Sequence, residues 1–556
     1  MLKDRLTTNL DEIVALGPRA SGSLDELHAA EYIKARLDVY GLAEVAIEAF
    51  PSASHLAVDG TLKAVDSGEE FSSLPTLFSP AGDVRGELIF IGSCHASYVA
   101  DDCDLSGKIG LLTPTGTFQE RIDFILDLER RGLEGLIVVS PALDMINTKI
   151  IRYPEIKRLP SVSVAWRTAC QLKNEVGQQF TLQVNHQSET RHESVNVVGR
   201  IDGKSDNWLV ISAHIDTAPY TVGANDNASG VAVLLEHVRQ LTAAEQPDAT
   251  IYFLFSGSEE YGALDCCGAG AKAFYQTRQA ALSTCIAHLE IDDVGDMLFP
   301  HRMNIGGNRK FIELTTNIDT NIPFTVVEKY SPSCDHGSAI YHGIPFIFFG
   351  NKAPEVPVYH TPGDNLEGVD SEMLVRAFQL TQKIIEKLST AKPFFPYLNV
   401  EERLIRPAYY RDFTAIKTIT RLAFEPVSLD RMAEKYFNTR MGDKDWFEYK
   451  NRSLEKQCKA NIYNVIVCEI AGRVVGYATM SLDDERGIAE IGNNAVHPEF
   501  QGKGIGKMMQ REIMRRMKEN GFDKFKVNTL SNDIAAQKVY EKLGFEKIVT
   551  GIYYLK

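Results

Sequence analysis

Five short segments place histidine and carboxylate side chains where they could act together. They are His214-Ile-Asp216, Asp226 within Gly223-Ala-Asn-Asp-Asn-Ala-Ser-Gly230, Glu259-Glu260, Glu290-Ile-Asp292, and Tyr359-His360-Thr-Pro-Gly-Asp364. Taken singly, each has an ordinary explanation: a chance pair, a solvated surface, or a turn and helix cap. Together they carry more weight. Buried carboxylates repel one another and lose hydration, at about several kcal/mol each, unless a cation compensates. Two histidines and three or four carboxylates meet the needs of two divalent ions with nitrogen and oxygen ligands. Adjacent residues leaving a strand cannot both face one ion, so one of Glu259 and Glu260 is left to carry a proton. Spacing alone does not say which.

Each segment follows an apolar run that reads as a buried strand: 208–213, 250–255, 283–291 and 344–349. Helical patterns at 23–40, 227–241 and 371–388 flank these runs. The alternation predicts an α/β fold, an open and mostly parallel sheet with helices on both faces. Such sheets bind ligands beyond the carboxyl ends of their strands, where these residues fall. Residues 81–189 change texture. Short runs at 87–92, 108–112 and 135–140, with one charged helix at 119–131, predict a small inserted α/β unit. The expected division is therefore 1–80 with 190–390, the insert 81–189, a proline-stiffened linker 391–402, and a last domain 403–556.

Charge follows that division. The chain of 556 residues has a formal net charge of −15. Residues 403–556 hold 27 Lys and Arg against 20 Asp and Glu, leaving 32 against 54 for the rest. The acidic part is a poor partner for nucleic acid, whose phosphates need clustered Lys and Arg. With 44% hydrophobic and 24% charged residues the chain is globular, not disordered. No apolar run approaches the roughly 18 residues of a membrane helix, so no membrane partner is expected. The N-terminal residues include Asp4, Asp11 and Glu12 where a signal peptide would be apolar. Nine cysteines, two of them adjacent and none in a C-x-x-C pair, predict a reduced, cytoplasmic protein.

The acidic motifs, in order, resemble those of the dinuclear zinc aminopeptidases of the M28 type. The resemblance implies two Zn2+: His214 and Asp292 hold one, Glu260 and His360 the other, and Asp226 bridges them. It also implies that Glu259 is the general base, that Asp216 orients His214, and that Tyr359 helps stabilise the oxyanion. Asp293 and the stretch Ala263-Leu-Asp-Cys-Cys267 depart from the family pattern and leave the substrate pocket open. His336, in Asp335-His336, reads as a structural histidine. The insert resembles a protease-associated domain through Leu105-Ser-Gly-Lys-Ile-Gly-Leu-Leu112 and Arg131-Gly-Leu-Glu-Gly-Leu-Ile-Val-Val139, and would wall the active site.

In the basic domain, Gln501-Gly-Lys-Gly-Ile-Gly506 lies between a predicted strand, 488–496, and a helix starting near Gly506. A glycine-rich turn opening a helix presents backbone N–H groups to an anion such as pyrophosphate. With Ala535-Ala-Gln-Lys-Val-Tyr540 downstream, the domain resembles the GNAT N-acyltransferases. The resemblance implies acetyl-CoA bound by Val496, Gln501, Gly502, Lys503, Gly504, Ile505 and Gly506, with Tyr540 as general acid. Glu490 matches a general-base position and also reads as an ordinary strand carboxylate.

The expected function is a bifunctional enzyme. One site would take a peptide substrate and free its N-terminal residue; the other would acetylate a small amine or peptide acceptor. The alternatives are a carboxypeptidase, deacylase or glutaminyl cyclase using the same metals, and a non-catalytic scaffold. All five ligand positions and Glu259 are present, which argues against the scaffold. The first site would release amines and the second consume them, so one product could be the other's acceptor.

Overall fold

The computed structural model describes residues 1–548 except 43, 54–56, 150–157, 187–191, 262–267, 329–332, 352–357, 441 and 530–531. The departure read at Ala263 to Cys267 lies outside the described residues. Three sheets organise the chain.

The first sheet has eight strands. At its centre Ala249–Ser256, Ser205–His214, Cys285–Ile291 and Phe346–Gly350 run parallel in that order. These are the four runs expected as buried strands. Antiparallel partners flank them, Glu193–Ile201 on one side and His301–Gly306 on the other. Because side chains alternate along a strand, Leu209, Ile211 and Ala213 enter one core and Trp208 and Val210 another. The first core is covered by helices Leu2–Val14, Leu24–Val39, Gly230–Thr242 and Ser371–Ser389. Ser23 caps the second of these, its Oγ accepting from Glu26 N at 3.1 Å. Helix Leu2–Val14 has no counterpart in the sequence reading.

On the opposite face, the short helices Ala269–Thr277 and His336–Tyr341 cover only part of the sheet. The rest of that core comes from the C-terminal residues: Phe395, Tyr409, Phe413, Leu454 and Tyr463 pack with Trp208, Tyr275 and Phe346 in one cluster. Phe395 stacks on Tyr463 at 5.2 Å, and Tyr463 OH donates to Ile344 O at 2.7 Å. Segment 391–402 is therefore not a spacer. Phe395 is 7% exposed, and Leu398–Val400 forms a strand paired with Arg403–Pro407.

The second sheet has nine strands, from Ala57–Ala64 to Gln179–His186. Ala57–Ala64 pairs with Gln179–His186, and Leu74–Pro75 with Ser161–Val164. Sheet pairing thus moves the start of the inserted unit from 81 to about 57, because strands 57–64 and 74–75 join it through partners far along the chain. The third sheet, of six strands, runs from Leu398–Val400 to Phe525–Val527.

Candidate functional site

The chain leaves Ser205–His214 toward one neighbour, Ala249–Ser256, and later returns on its other side as Cys285–Ile291. The carboxyl end of Ser205–His214 is thus a switch point, the natural crevice of an open sheet. His214 ends that strand, Glu259 and Glu260 follow the next, and Asp292 follows Cys285–Ile291. Asp226 lies in the irregular turn Ala224–Ser229 before helix Gly230–Thr242.

Two triads result, His214 with Asp226 and Asp292, and His360 with Asp226 and Glu260. His214 Nε2 lies 3.0 Å from Asp226 Oδ1 and 3.3 Å from Asp292 Oδ1. His360 Nε2 lies 3.2 Å from Asp226 Oδ2 and 3.3 Å from Glu260 Oε2. The two oxygens of Asp226 thus face the two histidines. A tetrahedron with arms of about 2.0–2.1 Å has edges of roughly 3.3–3.4 Å, so these separations suit zinc ligands. Buried His214 Nε2 and Glu260 Oε1 make no hydrogen bond, as donor atoms kept for a cation would not. Burial favours neutral His214, yet Asp216, Asp226 and Asp292 hold its pKa well above the usual value. Both triads therefore fit a divalent ion.

A positive charge already reaches the second triad. Lys149, from the inserted unit, extends its ammonium to Glu260 Oε2 and lies 3.5 Å from His360 Nε2, with only 6% of its side chain exposed. Its segment is tied to the His360 loop: Asn147 Nδ2 donates to Tyr359 O at 3.3 Å, and Thr361 Oγ1 to Met145 Sδ at 3.6 Å. Leu77 N donates to Thr148 O at 3.0 Å, anchoring the segment from behind. Sequence reading missed Lys149, since no local pattern connects it to residues more than a hundred positions away.

The supporting groups differ in detail from expectation. His214 Nδ1 lies 3.0 Å from the backbone oxygen of Asp216 and 3.6 Å from its Oδ1, and the Asp216 carboxylate also accepts Glu259 N and Glu260 N, each at 3.0 Å. Asp216 thus fixes the turn that presents both glutamates. Glu259 is 9% exposed and belongs to neither triad. Tyr359 packs its ring 3.5 Å from that of His360. Asp364, which ends the last motif, accepts Asn225 N at 2.8 Å and Asp226 N at 3.0 Å. Burial drives its pKa up to about 7, against those two amides. Beneath the site, buried Arg19 donates to Ile215 O and Val222 O; burial lowers its pKa to about 10, against the pull of Asp216, Asp364 and Asp226. Asp293 lines the adjoining cleft with Asn225, Asp296 and Tyr359. His336 is a hydrogen-bonded group, its Nδ1 2.5 Å from Glu290 Oε2, while Asp335 N and His336 N also donate to that carboxylate.

In the third sheet, Ile488–Val496 pairs with Phe525–Val527 only over 489–491. The shorter strand ends there, at Val527 opposite Ile491. Val496 ends the strand, and its carbonyl accepts Gln501 Nε2 at 3.1 Å. Gly502 and Gly504 have φ of +76° and +79°, which keeps other residues out. Helix Ile505–Glu519 starts at Gly504 with no side-chain cap, so its first N–H groups are open to an anion. Lys503 lies over the Phe500 ring at 4.9 Å. Glu490 accepts Asn528 Nδ2 at 2.6 Å and lies 3.2 Å from Lys526 Nζ. Tyr540 OH accepts Asn494 Nδ2 at 3.1 Å, and burial raises its pKa against that bond.

Comparison with known proteins agrees with both regions. Residues 196–385 match the model of peptidase family M28, and residues 428–545 that of the acetyltransferase (GNAT) family. Aminopeptidase YwaD of Bacillus subtilis is 26% identical over 400 residues, 68% of this chain and 83% of that protein. Among solved structures, a zinc aminopeptidase from Bacillus subtilis has a TM-score of 0.57 at 22% identity, covering 69% of this chain and 94% of its own. A peptidase M28 precursor from Shewanella amazonensis has a TM-score of 0.60 at 18% identity, covering 72% and 98%. The chain joins a peptidase M28 domain to a C-terminal GNAT domain.

Proposed function

We propose that the protein is a metal-dependent aminopeptidase with a second, acetyl-CoA-dependent N-acetyltransferase site. The observation that carries the first part is the pair of triads sharing Asp226 at the carboxyl edge of the parallel sheet. The M28 match and the likeness to aminopeptidase YwaD support it. His214, Asp292 and Asp226 would hold one Zn2+, and Glu260, His360 and Asp226 the other. When bound, two such ions supply Lewis acidity, lowering the pKa of a water and polarising the scissile carbonyl.

The chain's own residues do the rest. Glu259 takes the proton of the attacking water and returns it to the leaving amine. Asp216 fixes the Glu259–Glu260 turn and, through its carbonyl, the tilt of His214. Tyr359, in van der Waals contact with His360, is the candidate donor to the oxyanion. The inserted unit walls the crevice through Asn147 and Lys149 and so admits short or unfolded peptides.

In the C-terminal domain, the uncapped helix start at Gly504 would receive the pyrophosphate of acetyl-CoA, with Val496, Gln501, Gly502, Lys503, Ile505 and Gly506 around it. Glu490 takes a proton from the acceptor amine and Tyr540 gives one to the departing thiolate. Hydrolysis of an aminoacyl chromogenic amide, but not of its N-blocked analogue, is the expected result. Glu259→Gln should lower kcat by about 10²–10⁴-fold with zinc content unchanged. Turnover of the blocked analogue would instead indicate a deacylase.

A further inference from the structure

Beside Glu490 and Tyr540 lies a cavity of about 740 Å³. A β-bulge shapes it. Asn494 pairs with Ala478 and Ile491 with Met480, so Gly492 and Asn493 together face Thr479. Residues three apart on a regular strand point to opposite faces, but this extra residue turns Asn493 to the cavity that Glu490 also lines.

Into the same space helix Trp446–Ala460 sends Lys450. Its ammonium donates to Asn493 Oδ1 at 2.6 Å and lies 4.7 Å over the Phe424 ring. Asn493 is itself held, its Nδ2 donating to Gln457 Oε1 at 2.8 Å. Lysines on neighbouring surfaces have carboxylate partners: Lys417 and Lys459 both pair with Glu455. Lys450 has an amide and an aromatic face instead. Burial pulls its pKa down, opposed by Asp430, which lines the cavity beyond ion-pair range. A half-buried cation without an ion pair gains from a ligand that brings its own carboxylate.

Resting on the acetyltransferase reading above, we infer that Lys450 binds the carboxylate of the acceptor, and that the acceptor is a small amino acid or dipeptide with a free α-amine. Glu490 stands opposite Ser481 and Asn493 opposite Thr479, so the bulge leaves them about two residues, roughly 7 Å, apart along the sheet, a span that suits a single small zwitterion between base and cation. Asp533, which lines the wall on the Tyr540 side, favours the ammonium end, while Asp430 stands on the Lys450 side. In the transfer, the C–S bond of the thioester breaks as the amine nitrogen bonds the acetyl carbon. The α-ammonium first gives one proton to solvent, the second passes to Glu490 as the amide forms, and the thiolate takes a proton at Tyr540. Peptide hydrolysis at the first site releases molecules of this class.

The test uses the full chain, acetyl-CoA, and matched acceptors: leucine and alanine against leucinol and alaninol, which lack the carboxylate and resist hydrolysis. Free-thiol release should favour the amino acids. Lys450→Met should raise the KM for leucine about tenfold or more while leaving kcat and the rate with leucinol within a few-fold, and Lys450→Arg should keep most of the affinity. Unchanged hydrolysis of the aminoacyl amide by each variant reports an intact fold. Equal turnover of leucine and leucinol, or equal loss of both in Lys450→Met, overturns the assignment. If calorimetry shows no acetyl-CoA binding, the acetyltransferase reading fails first and the acceptor site falls with it. Binding of acetyl-CoA with the wrong acceptor preference defeats the acceptor site alone.

Discussion

Lys149 and a divalent ion claim the same two donors, Glu260 Oε2 and His360 Nε2. The first triad has no such competitor among the described residues. The two metal positions should therefore fill unequally, the second only as Lys149 withdraws. Titration of the metal-free protein with zinc should show two unequal steps. Lys149→Met should tighten the second by about tenfold and leave the first unchanged; equal tightening of both would contradict the competition. The residue types at both triads were legible in the sequence because each sits in a short motif, at or downstream of a strand end. Lys149 was not, and neither was Arg19 beneath the site, because each acts through a fold contact with no sequence neighbour to announce it. Asp216 illustrates a finer limit. Its carbonyl holds His214 while its carboxylate lies beside the same ring and also takes the two glutamate amides, a double duty that spacing cannot express.

Helix Leu2–Val14 is held to helix Gly230–Thr242, and so to the turn carrying Asp226, by a charged cluster. Glu236 accepts from Arg5 at 2.7 Å and from Arg239 at 2.7 Å. Burial works to raise the Glu236 pKa, but Arg239 and Arg5 outweigh it and hold it at about 2. A carboxylate depressed in the folded state stabilises above its unfolded pKa of about 4.3 and loses that contribution as pH falls toward 2. The melting temperature should therefore drop between pH 5 and pH 3 more steeply for the natural protein than for Glu236→Gln. At pH 7 the substitution should cost about 1–2 kcal/mol, since both arginines are partly exposed. Parallel curves for the two proteins would rule this out. The sequence reading found helices 23–40 and 371–388 to within a residue or so but passed over Leu2–Val14, which holds four buried residues and acidic and basic ones on its open side.

The peptidase and GNAT domains share one buried cluster, with Phe395 between them. Arg309 N also donates to Asn520 Oδ1 at 3.0 Å, and Asn308 Nδ2 to Phe394 O at 3.1 Å. Truncating Phe395 to Ala should cost about 3–5 kcal/mol and lower a single calorimetric transition of the whole chain. Two well-separated transitions in the natural protein would refute joint unfolding. By itself the sequence determined the α/β class, the four central strands, the order of the ligand motifs and the glycine turn at Gln501, because strand period, helix caps and φ > 0 positions are local properties. Only the tertiary structure decided that strands 57–75 join the inserted sheet, that 391–402 packs instead of spanning, and that Lys149 and Lys450 reach their sites. Those outcomes depend on which apolar face finds which partner and which charge loses its water. Pairings between residues far apart in the chain fix both.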